Sequence, residues 1–262
     1  MKKLLLIFLL FTSAQAQFTP EEMLKPFVYT DVNGKNWPYR LSTPQFPEAN
    51  RRYPLILFLH GSGERGDDNL KQIKVGLPAL IKTLLKQPDP VILLAPQCPR
   101  NSGWTQTLAH TPEYSASPQA TPALQAALLL CHQLVAHGQA DPNRLYITGL
   151  SLGGFGTWDA IQREPKLFAA AIPICGGGDI RKIEPIKKLP LWIFHGTDDK
   201  SVAVDCSQRM YTALKQAGSR SVKFTEYPKA AHNVWDRTYA DPKVLAWLLN
   251  QTQVKKPWWN FW

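Results

Sequence analysis

The hydrophobic positions of this chain form short apolar runs that alternate with longer amphipathic stretches. Strands buried on both faces of a parallel sheet have such runs, and the helices between them have one apolar face. The runs predict strands at 27–31, 37–41, 54–59, 91–95, 144–149, 169–174, 190–195 and 221–226. The amphipathic stretches predict helices at 77–86, 122–136, 152–163, 203–217 and 241–250. This alternation predicts an α/β fold with a doubly wound, mostly parallel, eight-stranded sheet.

Local signals mark the ends of some of these elements. Asn33-Gly34 lies between the first two predicted strands and indicates a hairpin turn. Thr121-Pro122 supplies a capping side chain and a proline at the first position of the helix predicted at 122–136, and Gly138 follows its last apolar turn.

A serine flanked by glycines lies where a predicted strand meets a predicted helix. The stretch is Gly149-Leu150-Ser151-Leu152-Gly153. In a nucleophile elbow the serine occupies a strained turn that projects its hydroxyl from the sheet edge, and the neighbouring glycines let strand and helix approach. The pattern predicts Ser151 as a nucleophile and a steric clash for any larger residue at 149 or 153.

An acid and a histidine follow this serine, each after a predicted strand. His195-Gly196-Thr197-Asp198-Asp199 offers two carboxylates, and the spacing His-Gly-x-x-Asp favours Asp199. His232 follows the last predicted strand. The order Ser, Asp, His is that of an α/β-hydrolase triad, so Ser151, Asp199 and His232 are the predicted nucleophile, acid and base.

The oxyanion formed during acyl transfer needs two N–H donors. The residue after the nucleophile supplies the first, which predicts Leu152 N–H. The second is expected from the loop after the 54–59 strand, with Ser62 N–H favoured and Gly63 N–H as the alternative. His60 in this loop is predicted to be structural.

Substrate contacts are predicted at two tryptophans near the carboxyl ends of the strands. Trp104 lies in the long loop 97–120, which also holds His110 and Tyr114 and is expected to form a wall of an open cleft. Trp235 closely follows the predicted base. No insertion is long enough for a large lid domain.

The first sixteen residues have the pattern of a signal peptide. Lys2 and Lys3 precede an apolar run that is too short to span a bilayer, and Ala14-Gln15-Ala16 is a cleavage signal. We expect removal of residues 1–16, a single α/β-hydrolase domain over 17–262, and export to the periplasm, cell surface or medium. No stable membrane insertion is expected after cleavage.

The net charge and the spacing of histidines and cysteines limit the binding partners and cofactors that the sequence predicts. The formal net charge is +10, but basic residues occur singly or in pairs without a stripe or a nucleic-acid motif, so no nucleic acid is expected. The histidines are dispersed and show no metal-binding spacing, which predicts no metal and no cofactor. Four cysteines allow disulfides, with Cys175 and Cys206 the better-matched pair and four buried free thiols the equal alternative.

With these residues placed, the chain resembles exported α/β-hydrolases related to dienelactone hydrolases, feruloyl esterases and poly(hydroxyalkanoate) depolymerases, often described as predicted peptidases of prolyl-oligopeptidase type. The resemblance lies in 57–69, 94–99, 141–159, 173–179, 195–199 and 232–235. It implies the same nucleophile, acid and base, and it leaves the substrate open. The aromatic end, Pro257 to Trp262, departs from this family.

The sequence therefore predicts an exported serine esterase acting through an acyl-enzyme, with feruloyl or acetyl esters on glycans, or small-molecule esters, as substrates. A small serine peptidase of prolyl-oligopeptidase type is the first alternative. The stretch before the 54–59 strand is too short for a propeller domain, which favours esters. A non-catalytic binding protein with a hydrolase fold is the second alternative. The oligomeric state stays open.

Overall fold

Eight strands form one sheet in the structure, a computed structural model that describes residues 19–44, 48–106 and 114–253. The strands are β1 Lys25–Thr30, β2 Asn36–Ser42, β3 Tyr53–Leu59, β4 Ile92–Pro96, β5 Ala140–Leu150, β6 Ala170–Ile174, β7 Leu191–Gly196 and β8 Val222–Tyr227. Their order is β1-β2-β4-β3-β5-β6-β7-β8. Strand β2 is antiparallel to both neighbours, and all strands from β4 to β8 are parallel. The predicted fold class is confirmed.

Helices cover both faces of the sheet. They are α1 Pro20–Met23, α2 Leu77–Leu84, α3 Pro122–Ala136, α4 Leu152–Arg163, α5 Asp205–Gln216, α6 Trp235–Ala240 and α7 Pro242–Leu249. Each of the five predicted helices is present, with ends that differ from the prediction by at most two residues. The predicted signal peptide, His110 and the aromatic end lie outside the described residues.

The central strand β3 shows why the sheet is buried on both sides. All seven of its residues are buried, and successive side chains point to opposite faces. Leu55, Leu57 and Leu59 join a core beneath α3, α4 and α5, whereas Ile56 and Phe58 join a second core beneath α2, α6 and α7. A continuous apolar run is what such a strand requires.

Local chemistry fixes the elements whose ends the sequence predicted best. In the β1–β2 hairpin the Asp31 carboxylate accepts from Asn33 N–H and Lys35 N–H, and Gly34 adopts a φ of 77°. Helix α3 begins where the Thr121 hydroxyl accepts from Leu124 N–H, and a left-handed glycine follows its end. These bonds are made within a few residues, so sequence alone reveals them.

Two short helices, α1 and α6, were not predicted. Helix α6 has no side-chain cap at its start, and long-range packing holds it instead. Its buried Tyr239 places its hydroxyl 2.9 Å from the Thr148 hydroxyl of β5. Within the described residues, no helix combines the length and apolar character needed to cross a membrane.

Candidate active site

The turn between β5 and α4 has a strained backbone at Ser151. This residue adopts φ 54° and ψ −118°, a conformation that residues with a side chain rarely occupy. Its N–H donates to Ile174 O over 2.9 Å. A Cβ at Gly149 would lie 2.3 Å from Gly153 O, and one at Gly153 would lie 1.9 Å from Leu59 O. The glycines therefore let α4 lie against the ends of β3 and β5, which raises the serine hydroxyl above the sheet edge.

Three side chains meet at this edge in a continuous line of hydrogen bonds. Ser151 Oγ lies 2.9 Å from His232 Nε2, and His232 Nδ1 lies 2.6 Å from Asp199 Oδ2. The Asp199 side chain has no exposed surface, whereas the His232 side chain is 21% exposed. The hydrogen bonds therefore run from a buried carboxylate through a partly exposed imidazole to the serine hydroxyl.

The surroundings of Asp199 keep its carboxyl ionised. Burial would raise the pKa of Asp199, but hydrogen bonds from His195, His232 and Val202 N–H outweigh burial and hold it well below its usual range. Asp199 Oδ1 accepts from the N–H groups of Ser201 and Val202 over 2.8 and 2.9 Å. Asp198 is exposed, and its carboxylate accepts only a long bond from Thr197 among the described contacts. The structure therefore brings Asp199, and not Asp198, to the imidazole.

A second histidine supports the carboxylate, and the sequence analysis gave it no role. His195 is fully buried, with Nε2 3.2 Å from Asp199 Oδ2 and 3.0 Å from Val202 O, and with Nδ1 2.8 Å from Ser207 Oγ. Its place four residues before the acid, at the end of β7, was the available signal. His195 therefore contacts the same carboxylate oxygen, Asp199 Oδ2, that His232 contacts.

Cys175 also contacts this group. It is buried with φ 49°, and its Sγ donates to His232 O over 3.3 Å. Burial and the charge of Asp199 raise the pKa of the thiol. Ligand atoms of Cys175, His195 and Asp199 lie within 4.8 Å of one another, the arrangement among the described residues that comes nearest to a metal site. Each of these atoms already has hydrogen-bond partners, so the group supports the triad as it stands.

All four cysteines are buried, and none of them forms a disulfide within the part of the chain that the structure describes. The predicted alternative of four buried thiols fits this arrangement, and the Cys175–Cys206 pairing is not formed. Cys206 instead lies in a small apolar cluster with Tyr114 and Phe155.

Both predicted oxyanion donors are the first residues of helices. Leu152 begins α4, and Ser62 begins a short 3-10 helix over Ser62–Glu64. The first N–H groups of a helix have no acceptor within it, so neither of these N–H groups is used inside its own helix. Gly63, the alternative, is the second residue of the same 3-10 helix.

The two predicted substrate contacts lie in different environments. Trp235 is half-buried, and its ring stands edge-on to His232 with centroids 5.2 Å apart, which places it beside the imidazole. Trp104 has no exposed surface, and its Nε1 donates to His60 O over 2.9 Å. The prediction of a substrate contact at Trp104 is wrong for this structure, because the ring packs behind the oxyanion loop against Gly156. Tyr114, expected in the cleft wall, is also buried.

Comparisons with known proteins identify the family of this chain. A family model described as phospholipase/carboxylesterase matches residues 46–243, which include Ser151, Asp199 and His232. The chain belongs to this family. The match covers most of the chain, so the predicted membership among the α/β-hydrolases is confirmed.

Individual relatives agree with the family. A probable carboxylesterase of Arabidopsis thaliana, described as SOBER1-like, is 28% identical over 200 residues, covering 68% of this chain and 72% of that protein. The crystal structure of a thermostable esterase is 39% identical with a TM-score of 0.79, covering 88% of this chain. This chain spans 64% of the esterase's length. Family and relatives together support an enzyme that hydrolyses carboxylic esters.

A third likeness concerns the fold alone. The structure of a ferulic acid esterase is 15% identical with a TM-score of 0.65, covering 86% of this chain and 97% of that chain. At this identity the likeness extends to the path of the chain and leaves the substrate open.

Proposed function

We propose that this phospholipase/carboxylesterase family member is a serine carboxylesterase with Ser151 as nucleophile, His232 as base and Asp199 as the acid that orients it. The hydrogen-bonded line Ser151–His232–Asp199 carries the proposal. A serine hydroxyl is a weak nucleophile until a neighbouring base accepts its proton. His232 Nε2 lies within hydrogen-bond distance of that hydroxyl, and the ionised Asp199 stabilises the imidazolium that forms.

The reaction then follows from these positions. Ser151 Oγ attacks the ester carbonyl carbon while its proton moves to His232 Nε2. The tetrahedral intermediate expels the alcohol, which takes that proton from His232, and an acyl-enzyme remains. Water repeats the sequence, with His232 first accepting its proton and then returning it to Ser151 as the carboxylic acid leaves.

The negative oxygen of each tetrahedral intermediate needs donors fixed before the reaction begins. Leu152 N–H and Ser62 N–H fill this role in the proposal. The support is their place at the starts of α4 and of the 3-10 helix Ser62–Glu64, where intrahelical acceptors are missing.

The substrates we propose are short-chain or aryl esters, including feruloyl or acetyl groups on glycans, met outside the cytoplasm after removal of residues 1–16. The charged, apolar and small-residue pattern of that segment supports export. The half-buried Trp235 ring beside His232 supports an aromatic or sugar-ring contact at the site.

The test compares wild type with Ser151→Ala on p-nitrophenyl acetate to octanoate, methyl ferulate, acetylated xylan and a peptide p-nitroanilide. We expect Ser151→Ala to lower ester turnover by about 10⁴-fold or more with unchanged folding, since loss of the nucleophile removes the triad. Ser221→Ala is the control, because Ser221 precedes β8 at the opposite end of the sheet.

Residual ester turnover of folded Ser151→Ala above about a hundredth of wild type would rule out this nucleophile, since loss of one triad member costs far more. Peptide cleavage by wild type as fast as ester cleavage would move the activity to a peptidase. If a fluorophosphonate does not label wild-type Ser151 and no ester is cleaved, the binding-protein interpretation replaces the enzyme.

A further inference from the structure

His60 lies two residues before Ser62, the proposed oxyanion donor, and both of its ring nitrogens have a partner. It is fully buried, with Nε2 2.9 Å from Cys98 N and Nδ1 2.6 Å from Gly61 O. The Cys98 N–H can only donate, so Nε2 is the acceptor and the ring proton resides on Nδ1. Burial lowers the pKa of His60 to about 4, which keeps the ring neutral in this tautomer at neutral pH. His60 Nδ1–H therefore donates to Gly61 O.

This bond has a geometric effect on the next residue. The Gly61 carbonyl and the Ser62 N–H belong to one planar trans peptide group, in which C=O and N–H point in opposite directions. Fixing Gly61 O against the buried imidazole therefore fixes the direction of Ser62 N–H away from it. The N–H cannot rotate without breaking a buried hydrogen bond.

The neighbouring carbonyls are held in the same way. Trp104 Nε1 donates to His60 O over 2.9 Å, and Arg65 Nε donates to Ser62 O over 2.9 Å. Three successive carbonyls, those of His60, Gly61 and Ser62, thus each accept from a side chain. The His60 and Trp104 rings also stand edge-on with centroids 5.0 Å apart, which locks the two donors together.

We infer that His60 and Trp104 are positioning residues that fix the oxyanion loop before substrate binds, through hydrogen bonds to Gly61 O and His60 O. The inference rests on the proposed role of Ser62 N–H. Neither side chain touches substrate, so their effect falls on the transition state. An oxyanion donor stabilises the transition state only when its direction is set in advance.

A histidine that merely fills the core would behave differently. Its replacement would lower stability without changing how turnover divides between kcat and KM. The two ring nitrogens of His60 have separate partners, so variants that keep one partner and lose the other separate these cases.

The experiment uses His60→Asn and His60→Gln in the full chain. The Asn amide nitrogen occupies a position close to Nδ1 and can donate to Gly61 O, whereas the Gln amide reaches the Nε2 position and can accept from Cys98 N–H. We expect His60→Gln to lower kcat for p-nitrophenyl acetate by about 10- to 100-fold with KM nearly unchanged, since a misdirected oxyanion donor loses most of its effect. Binding of butylboronic acid, which forms a tetrahedral adduct with serine, should weaken by a similar factor.

His60→Asn is the conservative variant and should keep kcat within a few-fold of wild type. Equal kcat in the two variants, whether both retained or both lost, would overturn the positioning role. A wild type without ester turnover and without fluorophosphonate labelling of Ser151 would instead overturn the proposed function, so the two failures are distinct.

If the His60 variants do not fold, two tryptophan variants test the positioning role instead. Trp104→Phe keeps an aromatic ring but removes the N–H that holds His60 O, and we expect kcat to fall several-fold at constant KM. Trp158→Phe is the matched control, because the Trp158 indole is equally buried and its Nε1 has no hydrogen-bond partner among the described residues. Equal kcat in the two tryptophan variants would overturn the inference.

Discussion

Asp198 and Asp199 are adjacent carboxylic acids with opposite surroundings. Asp199 accepts hydrogen bonds at both oxygens and lies behind His232, while Asp198 is exposed to solvent. The difference arises from the turn after β7. There Asp199 Oδ1 accepts from Ser201 N–H and Val202 N–H, which leaves Oδ2 directed at His232. Position within a turn decides which of two identical residues can orient an imidazole.

This contrast gives a prediction at the residue scale. Asp199→Asn should lower kcat by about 10⁴-fold, because the amide stabilises the wrong tautomer of His232. Asp198→Asn, the matched control, should change kcat by less than about twofold, since exposed substitutions have small effects. Steady-state kinetics on p-nitrophenyl acetate measure both. Exchanged effects would show that the acid is Asp198.

Residue spacing predicted the three residues that the structure brings together, but it did not predict the side chains that hold them in place. Ser151, Asp199 and His232 each follow a strand at a fixed offset, and this offset survives in the sequence. The direction of a side chain in an irregular loop has no such signature, so Trp104 was expected in the cleft although it packs behind it. The role of His195 depends on Ser207, twelve residues away on α5, which no local pattern reveals.

At the scale of elements, the β5–α4 turn holds the nucleophile, and its geometry is determined by backbone packing. Helix α4 begins one residue after Ser151 and lies against the carbonyl ends of β3 and β6, with Gly153 and Gly154 at the contacts. Helices α3 and α4 were predicted with their observed ends, because caps and periodicity are local. Helix α6 was missed because its stability comes from the burial of Tyr239 against β5.

The elbow gives a prediction at this scale. In Gly153→Ala the new Cβ would lie 1.9 Å from Leu59 O, a backbone atom, so the end of β3 or the start of α4 beside Ser151 must shift. We expect a loss of at least about 2 kcal/mol in the free energy of unfolding, typical of an overpacked site, together with loss of ester hydrolysis. Urea unfolding and kinetics at the same temperature measure the two effects.

Gly138→Ala serves as the control for this substitution. Gly138 has a φ of 74°, but among the described residues no atom beyond its chain neighbours lies within 4 Å of a new Cβ. A left-handed alanine should cost about 1 kcal/mol and leave turnover unchanged. If Gly153→Ala costs no more than Gly138→Ala, close packing at the elbow is not what requires the glycine.

At the scale of the whole molecule, the sheet separates two apolar cores, and several polar groups are buried where the site is built. His60, His195, Ser151 and Asp199 are all buried at the carboxyl edge of the sheet. Buried polar groups are stable only with their hydrogen bonds made and, for His60, only in the neutral form. The site therefore couples the stability of the whole fold to pH.

His60 sets the sign of that coupling. Its pKa is lowered to about 4 in the folded protein, first by burial and also by the nearby charge of Arg65. In the unfolded chain histidine takes up a proton below about pH 6.5, which the folded state does not do. The contribution of His60 to the free energy of unfolding is therefore fully present above about pH 6.5 and is lost as pH falls toward 4. A shift of this size corresponds to about 3 kcal/mol.

Urea unfolding of wild type and His60→Asn from pH 8 to pH 4 tests this expectation, because all other titrating groups are shared. The stability difference between the two proteins should be constant above about pH 7.5 and should fall by up to about 3 kcal/mol toward pH 4, as the unfolded wild type alone gains a proton at residue 60. Parallel curves over the whole range would mean that His60 takes up a proton over the same pH range in the folded protein as in the unfolded chain. A charged ring would donate from both nitrogens and could not accept from Cys98 N–H, so the same measurement also tests whether that bond persists at acid pH.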